Sequence, residues 1–178
     1  MAKLTRITSG GQTAVDQAAL RAAQKSGLAC GGWCPPGRVC ESGIIPGHFP
    51  MQETPAECSP DAPDIPRSQR TEWNVRDSDA TLILRPSLRG SEDSGTDWTA
   101  RCAAAYGKPS YVCDPADADA VIKIENWLNA LPIQTLNVAG PSEETAPGIG
   151  DQAYTILVQL LSTERSNQGI YSIHQGVD

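Results

Sequence analysis

The sequence Thr8-Ser9-Gly10-Gly11-Gln12-Thr13-Ala14-Val15-Asp16 decides the fold, because it follows a strand-like run at residues 4–7 and opens an alanine-rich helix at residues 17–25. The first N–H groups of a helix have no partner inside the helix, and a phosphate or another oxyanion satisfies such donors. Two glycines let a ligand approach the backbone closely. The stretch therefore predicts an anion-binding turn. The alternative is a tight strand-to-helix turn that a hydroxyl side chain caps.

Outward from this turn, strand and helix signals alternate along the chain. Strands are predicted at residues 4–7, 28–32, 80–84, 109–113 and 134–138, and helices at residues 17–25, 69–77, 95–106, 118–130 and 149–161. This alternation is typical of an α/β domain with a mainly parallel sheet, which binds ligands beyond the carboxyl ends of its strands. We expect three small-residue turns, Gly10-Gly11, Gly95-Thr96 and Gly140-Pro141, to converge at that edge, which strengthens the anion-site interpretation.

Residues 33–68 interrupt the alternation. Eight of the fourteen prolines lie there, and the segment shows no periodicity. A connection this long inside a compact domain is usually a functional loop or a disordered insert. Trp33, Phe49 and Met51 give it side chains to pack, so we expect an ordered cover over a ligand site. Residues 1–164 are predicted to form a single domain, and residues 165–178 a C-terminal tail.

The charge distribution favours a small anionic ligand over nucleic acid. The net charge is −7, whereas phosphate backbones attract clustered Lys and Arg. Residues 1–51 carry a balance of +3, so an anion meets its most favourable field in that half of the chain. No apolar run approaches the roughly 20 residues that cross a bilayer, and the start lacks the apolar core of a signal peptide. We therefore expect a cytoplasmic protein that binds neither nucleic acid nor a membrane.

Six cysteines are compatible with a disulfide framework or a metal site. We expect neither, because the cytoplasm keeps thiols reduced and no close Cys-x-x-Cys pair or nearby histidine accompanies Cys30, Cys34 and Cys40. Cys102 and Cys113 fall in a predicted helix and strand, where a small apolar side chain is the usual explanation. A soft-metal or molybdenum–sulfur contact through Cys34 stays open as an alternative, because this residue lies in a predicted loop.

Five ordered segments resemble the bacterial putative molybdenum carrier family over residues 4–161. They are Ser9-Gly10-Gly11-Gln12-Thr13 with Asp16, Gly31-Gly32-Trp33-Cys34-Pro35, Arg70-Thr71-Glu72-Trp73-Asn74-Val75, Asp77-Ser78-Asp79-Ala80-Thr81 and Leu136-Asn137-Val138-Ala139-Gly140-Pro141. The resemblance implies a Rossmann-like three-layer sandwich and a pocket for a phosphate-bearing or oxyanionic ligand, with molybdenum cofactor, molybdate or tungstate as the cargo. It also implies molybdoenzymes or cofactor-synthesis proteins as partners, and we expect a homo-oligomer.

The candidate ligand-binding residues lie at the small-residue turns and on the elements beside them. They are Ser9, Gly10, Gly11, Gln12, Thr13, Trp33, Arg70, Asn74, Gly95, Thr96 and Gly140. Backbone donors of the first turn would hold an oxyanion, and Arg70 would neutralise it, so Arg70→Ala should weaken binding without a large change in melting temperature. Trp33 would stack on a flat ring. The alternatives are a surface ion pair of Arg70 with Glu72 or Glu53, and a core position for Trp33.

The family is similar in turn to lysine-decarboxylase-like phosphoribohydrolases, from which this chain departs at the catalytic residues. Those relatives carry a catalytic acid at the end of Gly-Gly-x-Gly-Thr-x-x-Glu. Here the two leading glycines fall on Glu92 and Asp93, and the acid falls on Thr99. A neutral hydroxyl supplies neither the charge nor a suitable pKa for glycosidic cleavage. We therefore expect binding without turnover.

Two other classes of function stay open from the sequence. A nucleotide-cleaving or nucleotide-sensing enzyme would use Asp16, Glu72 or Asp97 as acid or base, and a cleaving one would release the base from nucleoside monophosphates. Helical spacing points Asp97 away from Thr99, however, so it should not replace the missing acid. An oligomeric scaffold with a vestigial pocket would show no saturable ligand at all.

Overall fold

The computed structural model describes residues 4–87 and 94–173. Its strands are β1 (Arg6–Thr8), β2 (Ala29–Cys34), β3 (Val39–Cys40), β4 (Gly43–Ile44), β5 (Met51–Glu53), β6 (Ala80–Leu84), β7 (Ser110–Cys113) and β8 (Thr135–Ala139). Its helices are α1 (Val15–Lys25), α2 (Ser68–Arg76), α3 (Ser94–Ala105), α4 (Ala120–Asn129) and α5 (Ile149–Ile173). The main sheet has the order β5-β2-β1-β8-β6-β7, with every neighbouring pair parallel. The structure thus confirms the α/β, Rossmann-like fold with a mainly parallel sheet.

Two hydrophobic clusters accompany the sheet, in keeping with a three-layer arrangement. The larger one joins α1, α4 and α5 to the strands through residues such as Leu20, Ile124 and Leu157. The smaller one joins α2 to α3 around Val75 and Trp98. All five residues of β6 are buried, as is typical of a strand that lies inside a covered parallel sheet. The carboxyl ends of the central strands are therefore held in a rigid frame.

The predicted elements are present, and their ends agree within two residues except at the last helix. That helix was expected to end at residue 161, but α5 continues to Ile173 and so runs into the predicted tail. The division of the chain into a domain and a tail stays a prediction. None of the helices in the described ranges is long and apolar enough to span a bilayer.

The proline-rich segment contains regular structure that the sequence did not reveal. Strands β3 and β4 form an antiparallel hairpin, and β5 pairs with β2 at the edge of the main sheet. Ile45 and Phe49 are buried in the larger cluster. The Arg38 guanidinium donates to the carbonyl oxygens of Pro46 and Phe49, which fixes the chain between the hairpin and β5. Strands of two or three residues are too short to show periodicity, so no local pattern predicted them.

Candidate functional site

A cavity of about 200 Å³ lies at the carboxyl edge of the sheet. It is lined by the turn after β1, the starts of α2 and α3, the end of β8 and the tip of the β3–β4 hairpin. The chain leaves β1 toward β2 and leaves β6 toward β7, on opposite sides of β8. Doubly wound sheets bind their ligands in the crevice where the strand order diverges in this way.

The structure brings most, but not all, of the predicted ligand-binding residues to this edge. Those that line the cavity are Gln12, Thr13, Arg70, Gly95, Thr96 and Gly140. Gly10 and Asn74 line, with Arg70, a neighbouring space of about 10 Å³, which holds at most one water molecule. Ser9, Gly11 and Trp33 line neither space.

Ser9 and Asn74 hold the framework together. The Ser9 hydroxyl donates to the carbonyl oxygen of Val138 at 2.6 Å and so ties the end of β1 to β8. The Asn74 amide accepts from the N–H of Trp33 and donates to its carbonyl oxygen, both at 2.9 Å, which ties α2 to β2. Both side chains are buried. Their polar groups are thus engaged with protein partners.

Trp33 lies outside the cavity. Its indole N–H donates to the carboxylate of Asp77 at 2.7 Å, and its ring meets the ring of Trp73 edge-to-face at 4.8 Å between centroids. The side chain is neither a fully buried core aromatic nor positioned to stack on a ligand in the described cavity. Stacking of Trp33 on a flat ring stays a prediction, and it would require a ligand that extends beyond this cavity.

Close packing accounts for two of the predicted glycines. A Cβ atom at Gly10 would lie 2.0 Å from Nη1 of Arg70, so this glycine lets the arginine cross the turn. A Cβ atom at Gly140 would lie 2.4 Å from the carbonyl oxygen of Leu84 and 2.6 Å from a methyl group of Val15. These two glycines allow the end of β8, the start of α1 and the arginine to approach one another.

The predicted oxyanion donors at the start of α1 hold a carboxylate of the chain itself. The backbone N–H and the hydroxyl of Thr13 donate to Oε2 of Glu41 at 2.9 and 2.8 Å. Nη1 of Arg67 lies 3.1 Å from Oε1 of the same carboxylate and also donates to the side chain of Gln12 at 2.7 Å. Partial burial alone would raise the pKa of Glu41, but these hydrogen bonds and the ion pair outweigh it and lower the pKa below its ordinary value.

A second carboxylate, Asp16, lies deeper in the same cavity. Its Oδ2 accepts from Nη1 of Arg70 at 3.0 Å and from the N–H of Gln12 at 3.2 Å. The side chain of Asp16 is 4% exposed and that of Arg70 is 17% exposed. Burial raises the pKa of Asp16 despite the opposing effects of Arg70 and the hydrogen bond from Gln12. Arg70 thus forms a buried ion pair with Asp16, and the pairing with Glu72 or Glu53 that the sequence left open is not formed.

The backbone of the turn is strained next to Thr13. Ala14 has φ 64° and ψ −119°, a conformation that side-chain-bearing residues rarely adopt and that costs about 1–3 kcal/mol. The N-terminal end of α5 packs against it, since a Cβ atom at Gly150 would lie 3.0 Å from Cα of Ala14. The fold therefore holds the N-terminal donors of α1 in place at a cost in stability.

The other proposed acids do not reach the cavity. Asp97 pairs with Arg85 at 3.2 Å, and Glu72 accepts from the hydroxyl of Tyr106 at 2.8 Å beside a different cavity. Thr99 lines the candidate site, and its hydroxyl donates to the carbonyl oxygen of Gly95; Asp97 does not line it, in keeping with the helical spacing that points it away from Thr99. Glu92 and Asp93 lie outside the described residues.

Two further residues of the site were missed from the sequence. Arg67 immediately precedes α2 and has a left-handed backbone conformation (φ 59°), so the spacing rule for side chains on one helix face did not indicate it. Glu41 reaches Thr13 from 28 residues away, and no local pattern signals such a contact. Among the described residues, no group of three or more His, Cys, Asp or Glu side chains could hold a metal ion. Cys34 is a buried free thiol whose pKa is raised by burial, and it does not line the cavity.

Comparisons with known proteins agree with the five sequence segments. The model of the circularly permutated YpsA SLOG family matches residues 7–161. A crystal structure of a protein named putative molybdenum carrier protein, from Syntrophus aciditrophicus SB, has 36% sequence identity and a TM-score of 0.78, over 90% of this chain and 96% of that chain. No curated protein matches the sequence. The resemblance inferred from the sequence is thereby confirmed.

Proposed function

The chain belongs to the circularly permutated YpsA SLOG family, and we propose that it is a binding or carrier protein for an oxyanionic or phosphate-bearing ligand. Molybdenum cofactor, molybdate or tungstate is the leading cargo, because the relative at 36% identity bears the name of a molybdenum carrier. The observation that carries the proposal is the binding of the Glu41 carboxylate by Thr13 and Arg67 at the start of α1.

A carboxylate is itself an oxyanion, so its contacts report the chemistry of the donors around it. A backbone N–H, a hydroxyl and a guanidinium converge on its two oxygens, and a phosphate or molybdate group presents oxygens to donors in the same way. The positive end of the α1 dipole favours the same charge. These features support an oxyanion site at this edge of the sheet.

The size of the cavity limits how much of a ligand it encloses. Pockets that enclose drug-sized molecules usually measure about 300–1,000 Å³, and one water molecule occupies about 30 Å³ of liquid. A cavity of about 200 Å³ suits a tetrahedral oxyanion or the phosphate end of a larger ligand. The pterin rings of a molybdenum cofactor would therefore extend beyond this cavity, whereas molybdate or tungstate would fit inside it.

Titration calorimetry with molybdate, tungstate, phosphate and sulfate tests the proposal. We expect saturable binding of at least one of these anions, and we expect Thr13→Val to weaken it, because the ligand loses a hydrogen bond to a charged group that contributes about 1.5–3 kcal/mol, only part of which is offset by the weaker hold on Glu41. Thr155→Val is the matched control, since the hydroxyl of Thr155 donates within α5 to the carbonyl oxygen of Asp151. Elemental analysis of natively purified protein for molybdenum and tungsten identifies the cargo. Absence of saturable binding, or equal effects of the two variants, would contradict the proposal.

A nucleotide-cleaving enzyme is the second candidate function, and Asp16 is the observation that favours it. Of the three acids considered, it is the one that lines the cavity, and burial raises its pKa toward the range of a general acid. We nevertheless expect no base to be released when the protein is incubated with adenosine monophosphate, since Thr99 replaces the catalytic acid of the relatives. Release that disappears in Asp16→Asn would assign the protein to the enzymes.

A carrier also needs partners that deliver and receive its cargo. We propose molybdoenzymes or cofactor-synthesis proteins for these roles, in the cytoplasm, with the carrier assembled as a homo-oligomer. Light scattering coupled to size-exclusion chromatography measures the oligomeric state, and a monomer at micromolar concentration would contradict that part of the proposal.

A further inference from the structure

We propose that Glu41 is an internal competitor for the oxyanion, which a ligand must displace in order to bind, and that this competition lowers the affinity of every anion, so that strongly bound tetrahedral dianions stay bound and weakly bound carboxylates do not. The inference rests on the proposed function of the cavity. It assigns to the β3–β4 hairpin a role in ligand selection.

The contacts of Glu41 occupy the donors that the ligand would need. Both donors of Thr13 point at one carboxylate oxygen, and Arg67 binds the other. No oxyanion can take these three bonds while the carboxylate keeps them. Ligand binding at the start of α1 therefore requires this side chain to leave.

The hairpin is built so that the carboxylate can leave while the backbone stays in place. Cys40 and Ile45, on either side of the tip, are buried in the larger cluster, and the side chain of Gln12 donates to the carbonyl oxygen of Val39. The side chain of Glu41 is 37% exposed. A Cβ atom at Gly43 would have no heavy atom within 4 Å, so the tip has open space beside it. Rotation of one side chain therefore moves the carboxylate into solvent.

The charges around the cavity favour an exchange over simple addition. The charged side chains among the described lining residues form two ion pairs, Asp16 with Arg70 and Glu41 with Arg67, so their net charge is zero. A dianion added to this set would meet two carboxylates in a partly desolvated site, where like charges repel. When Glu41 turns to solvent, Arg67 loses its partner and attracts the incoming anion.

The same competition excludes weak ligands, because it lowers the affinity of every anion by the same factor. A side chain tethered to the site acts at an effective concentration of the order of millimolar, so a free monocarboxylate that forms the same bonds gains little by replacing it. A tetrahedral dianion carries more charge and has further oxygens to bind. Nε of Arg70, an arginine that lines the cavity, is buried without a hydrogen-bond partner in the described structure. A further oxygen would reach this N–H only if the guanidinium of Arg70 moved toward the cavity.

Titration of wild type, Glu41→Ala and Glu41→Gln with molybdate, phosphate and acetate tests this inference. We expect Glu41→Ala to bind molybdate or phosphate about tenfold more tightly than wild type, because a site occupied nine-tenths of the time by its own carboxylate loses that factor in affinity. Glu41→Gln should lie between the two, since an amide oxygen still accepts these hydrogen bonds without a charge. Acetate should bind measurably only to Glu41→Ala.

Glu143→Ala is the matched control, because Glu143 also binds backbone N–H groups at the start of a helix but does not line the cavity. It should bind the anions as wild type does. Unchanged or weaker anion affinity in both Glu41 variants, with binding still sensitive to Thr13→Val, would overturn the inference and leave the proposed function standing. If no variant binds any of these anions, the proposed function and the inference fall together. Glu41→Gln keeps the test valid if Glu41→Ala folds poorly, and thermal melts establish the folded fraction.

Discussion

Two helices of this fold begin with backbone N–H groups that a glutamate binds, and the two glutamates come from different distances along the chain. At α5, Glu143 accepts from the N–H groups of Gly148 and Gly150 at 2.6 and 2.9 Å, five and seven residues ahead. At α1, Glu41 reaches Thr13 across 28 residues, from a separate hairpin, and is also paired with Arg67 beside the cavity.

This difference in sequence distance distinguishes a carboxylate that caps a helix structurally from one that a ligand can replace. Glu143 belongs to the same loop as the N–H groups that it binds, so a short stretch of chain holds its carboxylate in place. Glu41 belongs to another element, so the turn at Thr13 keeps its own covalent and packing constraints when the carboxylate leaves. A carboxylate that comes from a distant element and faces a cavity is therefore the one that a ligand can replace.

The largest effect is expected from Arg70→Ala, because the ion pair of Arg70 with Asp16 is a second support for the start of α1, beside the contacts of Glu41. Removal of one partner of a buried ion pair costs about 3–5 kcal/mol, and each kcal/mol lowers the melting temperature of a domain of this size by about 2–4 °C. Differential scanning calorimetry should thus show a decrease of roughly 10 °C. The buried pair with Asp16 replaces our expectation from the sequence that this variant would melt like wild type.

Arg85→Ala is the control for that variant, since Arg85 pairs with Asp97 through side chains that are 34% and 52% exposed. Exposed pairs contribute at most about 1 kcal/mol, so its melting temperature should change little. Asp16→Asn in the Arg70→Ala background should recover part of the lost stability by removing the unpaired carboxylate. Equal losses in Arg70→Ala and Arg85→Ala would show that α1 has no such second support.

The sequence predicted the fold more completely than the site, for a physical reason. Strands such as β6 and helices such as α1 can be predicted from local composition and periodicity, which are properties of neighbouring residues. The turn residues Gln12, Thr13 and Gly140 were found in the same way, because a glycine-rich turn before a helix is a local pattern. The topology then brought them to one edge of the sheet.

The rest of the site depends on contacts between distant segments. Glu41 and Arg67 meet across 26 residues, and no composition or spacing rule encodes that meeting. Asn74 looked like a ligand contact because a polar residue on a helix face has the same appearance in sequence whether it binds a ligand or the backbone of Trp33. Only the arrangement of the strands distinguishes the two cases.

A smaller effect is expected from Glu143→Ala, which tests the structural half of the comparison. Loss of a side chain that caps helix N–H groups usually costs about 1 kcal/mol, which corresponds to a decrease in melting temperature of about 2–4 °C. Anion affinity should stay unchanged. Glu144→Ala, at the exposed neighbouring residue, should melt like wild type. A change in anion affinity in Glu143→Ala would remove the distinction between the two caps.

The smallest effect concerns the pH dependence of Glu41→Gln, measured as the difference in melting temperature from wild type. The pKa of Glu41 is lowered in the folded state, so its carboxylate stabilises the fold above its ordinary pKa of 4.5, and this contribution disappears as pH falls through the folded-state pKa. Because the side chain is more than one-third exposed, the contribution at pH 7 should be below about 1 kcal/mol. Wild type should therefore melt slightly above Glu41→Gln at pH 7, and this difference should shrink as the pH falls below 4.5 and through the folded-state pKa. Groups that do not interact with Glu41, such as Asp77, are shared by both proteins and cancel in the difference, whereas Asp16 contributes to it, because the charge of Glu41 helps to raise the pKa of Asp16. If the difference in melting temperature stayed unchanged at low pH, the charge of Glu41 would not be what Thr13 and Arg67 recognise. Glu41 would then resemble the local cap at α5.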